Sequence, residues 1–201
     1  MGLKLATCSA DGFIRIYEAM DIMNLNHWSL TAEFESHKGG SNCISWNSSA
    51  FDKPSMAVGS AGDQEVKVWE YNEQQGRWKV AYALSGHAEE VHDVAWAPNL
   101  GRTYNLIATG SKDKTVRIWR LPTARSPTQF APYEEAALKE HKDAVWRVQW
   151  NVTGTILASS GDDGNVCLWK ANFKGQWQLL SMVGGDDDDA EPTFISAKQD
   201  D

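Results

Sequence analysis

Short apolar runs, four to six residues long and bounded by Gly, Asp, Asn and Ser, follow one another along most of this chain. They are rich in Val, Ile, Thr and Trp, residues that suit a pleated, half-buried surface, so each run reads as a β-strand. No segment carries a long helical period. The runs recur. Trp69, Trp119 and Trp169 lie 50 residues apart and close VKVW, TVRIW and VCLW, while Tyr17 closes a fourth run, FIRIY, 52 residues before Trp69. Trp46, Trp96 and Trp150 close a second set, CISW, DVAW and RVQW, and a histidine stands nine residues before each: His37, His87 and His141. An aspartate stands six residues before each member of the first set: Asp11, Asp63, Asp113 and Asp163. Constant offsets within a unit, with variable spacers between units, mark an internal repeat. A period of about 40 to 50 residues points to a propeller or another repeat architecture.

Each unit divides into four strands. In the third, strands are predicted at 91–96, 105–110 and 115–119, with a weaker one at Tyr133 to Leu138, which describes one blade of a β-propeller. Residues 35–84, 85–138 and 139–183 make three whole blades, and residues 1–34 hold the second, third and fourth strands of another. The predicted fold class is therefore all-β, an incomplete propeller of about three and three-quarter four-stranded blades. Such a number cannot close a ring of six or seven. Two open flanks are expected, at 3–34 and at 141–183, each exposing an apolar face that a neighbouring blade ordinarily covers. Because the sequence begins inside a blade, it reads as the C-terminal part of a longer protein, with completion by another chain as the alternative.

The repeated polar residues have a structural use. A hydroxyl four residues before the aspartate allows one buried chain: indole N–H to hydroxyl, hydroxyl to imidazole, imidazole to carboxylate. Thr109 and Ser159 supply that hydroxyl in two blades, beside His87, Asp113 and Trp119 and beside His141, Asp163 and Trp169. Thr7, with Asp11, holds the place in the first blade. In the second, with His37, Asp63 and Trp69, Gly59 stands there, so that chain is expected to be broken. Ser, His and Asp are also the residue types of nucleophilic catalysis, but a catalytic triad occurs once, whereas this pattern recurs from blade to blade. The protein is read as a non-enzyme without cofactor or metal.

Charge adds a boundary. Net charge is −8, yet 186–201 carry seven acids and one lysine, so the remaining body is close to neutral. That is not the electrostatic footprint of a nucleic-acid binder. Residues 184–201 read as an acidic, disordered, solvating tail. No run reaches the roughly 18 apolar residues of a membrane span. The three cysteines, Cys8, Cys43 and Cys167, are odd in number and sit in apolar runs, which predicts buried free thiols and an intracellular, soluble protein.

The His, Asp and Trp offsets resemble those of the WD-repeat proteins. Gly86-His87 keeps the family's dipeptide, but Glu70, Arg120 and Lys170 stand where its aspartate follows the closing Trp. More specifically, LATCSADGFIRIYEAMDIMNLNHWSL, VHDVAWAPNLGR and VWRVQWNVTGTILASSGDDGNVCLWKANFKGQW resemble the Seh-type nucleoporins, relatives of the Sec-thirteen coat protein. That resemblance, over residues 1 to about 180, implies a six-bladed open propeller completed in trans by a blade from a helical-solenoid nucleoporin. It implies a non-catalytic scaffold of the Y-shaped outer-ring complex of the nuclear pore, at the nuclear envelope, among other outer-ring nucleoporins. It also implies a place beside GATOR subunits, which relay amino-acid status to TOR at the lysosome or vacuole surface. No direct nucleic-acid contact or membrane insertion is expected. A COPII-coat-type propeller and a substrate-receptor WD-repeat adaptor are the alternatives. Trp146, which stands outside both tryptophan sets beside Val145 and Val148, is a candidate partner contact or a core residue between blades.

Overall fold

The computed structural model describes residues 3–49, 51–123, 126, 130–184 and 193–194. Among these the chain forms strands and turns, arranged as four antiparallel sheets that follow one another in sequence order. The first sheet has three strands, β1 (Lys4–Cys8), β2 (Phe13–Ala19) and β3 (Trp28–Glu35). The second runs β4 (Ser41–Trp46), β5 (Ser55–Ser60), β6 (Glu65–Asn72) and β7 (Arg77–Ser85). The third runs β8 (Val91–Trp96), β9 (Tyr104–Ser111), β10 (Val116–Pro122) and β11 (Tyr133–Leu138). The fourth contains β12 (Val145–Trp150), β13 (Ile156–Gly161), β14 (Asn165–Ala171) and β15 (Trp177–Gly184). Each sheet is a meander in which consecutive strands pair, the arrangement of a propeller blade.

A fifth strand, β16 (Thr193–Phe194), pairs antiparallel with β15, with Met182 opposite Thr193 and Ser181 opposite Phe194. These two residues fall within the stretch read from composition as a solvating tail, and backbone pairing holds them on the sheet edge. The remainder of that tail lies outside the described residues.

Alternation along each strand gives every blade two apolar faces, and the core is the series of seams between successive blades. Ile14 and Ile16 of the first blade pack on Met56, Val58 and Trp69 of the second. Val66 and Val68 pack on Val91, Val94, Trp96 and Trp119 of the third. Val116 and Ile118 pack on Val145, Val148, Leu157 and Trp169 of the fourth. The first strands of successive blades lie side by side, β4 against β8 and β8 against β12. Each carries a bulge at its start, between Ser41 and Cys43, Val91 and Asp93, and Val145 and Arg147. The propeller is incomplete and does not close.

Cys43 and Cys167 are buried and Cys8 is half-buried, all three as free thiols. Burial raises all three thiols above their usual range, Cys167 to about 12. Cys8 departs from the expected full burial because it sits on β1, the outer strand of a three-stranded sheet.

Candidate functional site

In the third and fourth blades the repeated polar residues lie in hydrogen-bonding sequence. Trp119 Nε1 donates to Thr109 Oγ1 at 3.0 Å, Thr109 Oγ1 lies 2.7 Å from His87 Nε2, and His87 Nδ1 lies 2.9 Å from Asp113 Oδ2. In the fourth blade Trp169 Nε1 donates to Ser159 Oγ at 2.8 Å, Ser159 Oγ lies 2.8 Å from His141 Nε2, and His141 Nδ1 lies 3.0 Å from Asp163 Oδ2. An indole only donates and a carboxylate only accepts. With the hydroxyl donating to Nε2 and the imidazole proton on Nδ1, every member is satisfied. Burial alone would raise the Asp113 carboxyl, but bonds from His87, Thr115 and the Ala88 N–H outweigh it and hold the group well below the usual carboxylate range. The same balance, through the N–H groups of Lys142 and Asn165 and through His141, brings Asp163 to about 2. Thr109 and Ser159 are buried and held at once by an indole and an imidazole. Neither hydroxyl has a free direction toward a substrate. The arrangement ties the third strand of a blade to the loop before its first strand.

The second blade departs from this pattern. Trp69 Nε1 donates to Ser36 Oγ at 3.0 Å, and His37 Nδ1 lies 3.1 Å from Ser36 Oγ and 3.3 Å from Ser41 Oγ. His37 Nε2 is buried without a hydrogen-bond partner. Asp63 is not joined to His37; its N–H donates to Ser60 Oγ at 2.9 Å. The strand register gives the reason. Val58 faces Lys67 as Thr109 faces Arg117 and Ser159 faces Cys167, so Val58, not Gly59, holds the hydroxyl's place. The following turn, through Ala61 and Gly62, is one residue longer than its counterpart and displaces Asp63. A valine offers the indole nothing, and the indole turns to Ser36. Burial, aided by the nearby Lys67, lowers the His37 pKa to about 4.

The first blade forms no such chain either. Thr7 is exposed on β1, and Asp11 accepts from the Phe13 N–H and from Arg15 Nη2, both at 2.9 Å. Arg15 reaches across the strand pair to Glu33 at 2.8 Å. The expected grouping of Thr7 and Asp11 is replaced by a surface ion pair.

The outer faces of the series are open. In the fourth blade, the face that would meet a following blade presents Val166, Leu168, Ile156 and Ala158, none of them buried. At the other end Leu3, Leu5 and Leu30 are exposed. Trp146 lies on β12, the first strand of the fourth blade. Its counterparts in the β4 and β8 bulges, Asn42 and His92, reach the next blade: Asn42 Nδ2 donates to the Val91 carbonyl at 3.5 Å and His92 Nδ1 to the Val145 carbonyl at 3.1 Å. Trp146 stands in the same place on the last blade. One face of its indole stacks on His92, with ring centroids 4.0 Å apart and planes 12° from parallel, and 49% of the residue is exposed. The bulge that turns these side chains toward a neighbouring blade has no marker in the sequence beyond the odd position of Trp146 itself. Among the described residues no group of three or more His, Cys, Asp and Glu side chains is placed to hold a metal.

Comparison with known proteins agrees with this architecture. Residues 78–120 and 133–170 match the WD domain, G-beta repeat. The chain is 48% identical over 120 residues to Nucleoporin SEH1-A of Xenopus laevis, which covers 56% of this chain and 33% of that protein. The same identity and coverage hold for Nucleoporin SEH1 of Homo sapiens and of Danio rerio. The chain thus spans about a third of the length of these curated relatives.

Proposed function

For a chain that carries WD repeats and is homologous to the Seh-type nucleoporins, we propose the role of a non-catalytic scaffold subunit in the outer ring of the nuclear pore. The observation that carries this reading is the open face of the fourth blade. An uncovered apolar blade face is a site for another chain, and strands added in trans supply backbone hydrogen bonds and apolar packing together. The partner is a helical-solenoid nucleoporin that inserts a blade against Val166 and Leu168, with Trp146 as an aromatic anchor at the rim. Other outer-ring nucleoporins assemble around this pair. The same docking mode serves a second assembly, GATOR, at the lysosome or vacuole surface. Buried, fully satisfied Trp–hydroxyl–His–Asp chains keep the third and fourth blades rigid while the flank is exchanged between partners.

The test is co-expression with the solenoid nucleoporin, followed by purification through a tag on this chain. The proposal expects a stable complex that Val166→Glu together with Leu168→Glu abolishes, and GATOR subunits recovered with the tagged chain from cells. A well-behaved chain that recovers neither class of partner, or recovers COPII-coat subunits instead, contradicts it.

A further inference from the structure

A groove of about 420 Å³ lies between the third and fourth blades. It is bounded by the β8–β9 and β12–β13 loops and by the hairpin between β14 and β15. Its lining includes four cations, Arg102, Arg120, Lys170 and Lys174, against a single carboxylate, Glu135. This local excess of positive charge stands in a chain of net charge −8. One of the cations, Arg120, occupies the position after the closing Trp where the WD family carries aspartate and shares a face with Leu106, its cross-strand partner, so the substitution noted in the sequence places positive charge on the third blade's wall. Lys170, opposite Ile156, lies at the rim on the fourth blade's outer face.

The groove is built rather than incidental. Arg102 bridges the two blades, donating through Nη1 to the Gly154 carbonyl at 2.6 Å and through Nη2 to the Pro98 carbonyl at 2.8 Å. Gly154 has φ +65°, and a side chain there would run into the Pro98 carbonyl, so the close approach depends on glycine. Arg120 pairs with Glu135 at 3.3 Å and stacks on Tyr104, its Cζ 3.5 Å from the ring centroid. The floor and walls thus combine aromatic surface with fixed guanidinium planes. Two buried donors on the lining, Arg102 Nε and Trp177 Nε1, have no acceptor. Lys170 and Lys174 form no ion pair among the described residues. The corresponding cleft between the second and third blades has the opposite balance, with Asp52 and Glu70 against Lys53. The excess of positive charge therefore belongs to this seam and not to that neighbouring cleft.

We propose that the groove between the third and fourth blades binds an oxyanion carried on a peptide side chain, either the phosphate of a phosphoserine or phosphothreonine or the carboxylate of an acidic residue. Cations without a carboxylate partner call for an acceptor-rich anion, charge-assisted bonds make that recognition strong, and the aromatic walls accept the flanking peptide. The site is separate from the open flank and does not rest on the pore reading.

The experiment is fluorescence anisotropy of the full chain with one labelled peptide prepared in serine, phosphoserine and glutamate forms. Inorganic phosphate and single-stranded RNA serve as competitors. The phosphoserine or glutamate form is expected to bind at least about 10-fold more tightly than the serine form, and whichever is tighter identifies the source of the oxyanion. K174E should weaken that binding by about 10-fold or more while leaving Tm unchanged, since the side chain is solvent-facing. K53E, in the neighbouring cleft, should leave it intact. Equal binding of all three peptides, or insensitivity to K174E, overturns the proposal. So does displacement by inorganic phosphate at concentrations equal to those of the peptide, which reports a simple ion site, or tighter binding of RNA than of any peptide.

Discussion

Val116 and Val166 hold the same place in successive blades, two residues before Ile118 and Leu168 on the third strand, yet Val116 is 0% exposed and Val166 is 42% exposed. The difference is the next blade. Val116 is covered by the fourth blade, and Val166 has no such cover within the described chain. Val116→Glu should therefore bury an unpaired carboxylate and unfold the third and fourth blades together, whereas Val166→Glu should leave the melting temperature of the isolated chain almost unchanged. Thermal denaturation followed by circular dichroism separates the two, and a similar loss from both substitutions would contradict the account of the open flank.

The polar chains set a second expectation. Thr109→Val leaves the Trp119 indole and the His87 imidazole without their shared hydroxyl and should cost about 1–3 kcal/mol. Trp119→Ala or Trp169→Ala removes a large buried ring as well and should cost about 3–5 kcal/mol. Chemical denaturation measures both. If Thr109→Val proved neutral, the chain would not contribute to stability.

Rewiring in the second blade makes Ser36 the residue to test there. Ser36→Ala removes the acceptor of the Trp69 indole and should destabilise by about 1–3 kcal/mol. The exposed Thr7, by contrast, should tolerate Thr7→Val within about 0.5 kcal/mol. Equal effects at the two positions would refute the assignment of the second blade's hydrogen bonds.

His37 makes stability depend on pH. Its pKa falls from 6.5 to about 4 on folding, so between those values the unfolded chain binds a proton that the folded chain rejects. Stability should fall as pH is lowered through that window and be unaffected by this group above it. His37→Gln should flatten that part of the profile relative to wild type. Parallel profiles of Tm against pH would contradict the burial of a neutral imidazole. The lowered carboxyls of Asp113 and Asp163 act further down, their stabilisation disappearing as pH falls below the ordinary carboxylate value of 3.8.

The blades were legible because each carries two tryptophan-closed strands at fixed offsets, and in the third blade the first and fourth strands begin and end at the residues the pattern picked out, Val91 to Trp96 and Tyr133 to Leu138. Strands β9 and β10 differ from the reading by one to three residues, since Pro122 can still accept within a ladder whose apolar run has ended at Trp119. Counting four residues back from each aspartate located Thr109 and Ser159 and failed at Gly59. The extra residue in that turn, between Val58 and Asp63, leaves no trace in strand composition. What the sequence could not convey was which faces meet. Val66, Val116 and Val166 look alike in their runs, and only the stacking of blades decides that the third is uncovered. The basic groove was hidden for the same reason. Arg102 and Gly154 are 52 residues apart and meet only across a seam.

The central claim is that the uncovered face of the fourth blade is the face a partner covers. Hydrogen–deuterium exchange, read by mass spectrometry on the chain alone and in complex with the solenoid nucleoporin, tests it most directly. The account predicts added protection in β13 and β14 and around Trp146, with β9 and β10 unchanged because the fourth blade already covers them. A stable complex in which β13 and β14 exchange as in the free chain, with the protection falling elsewhere, would contradict it.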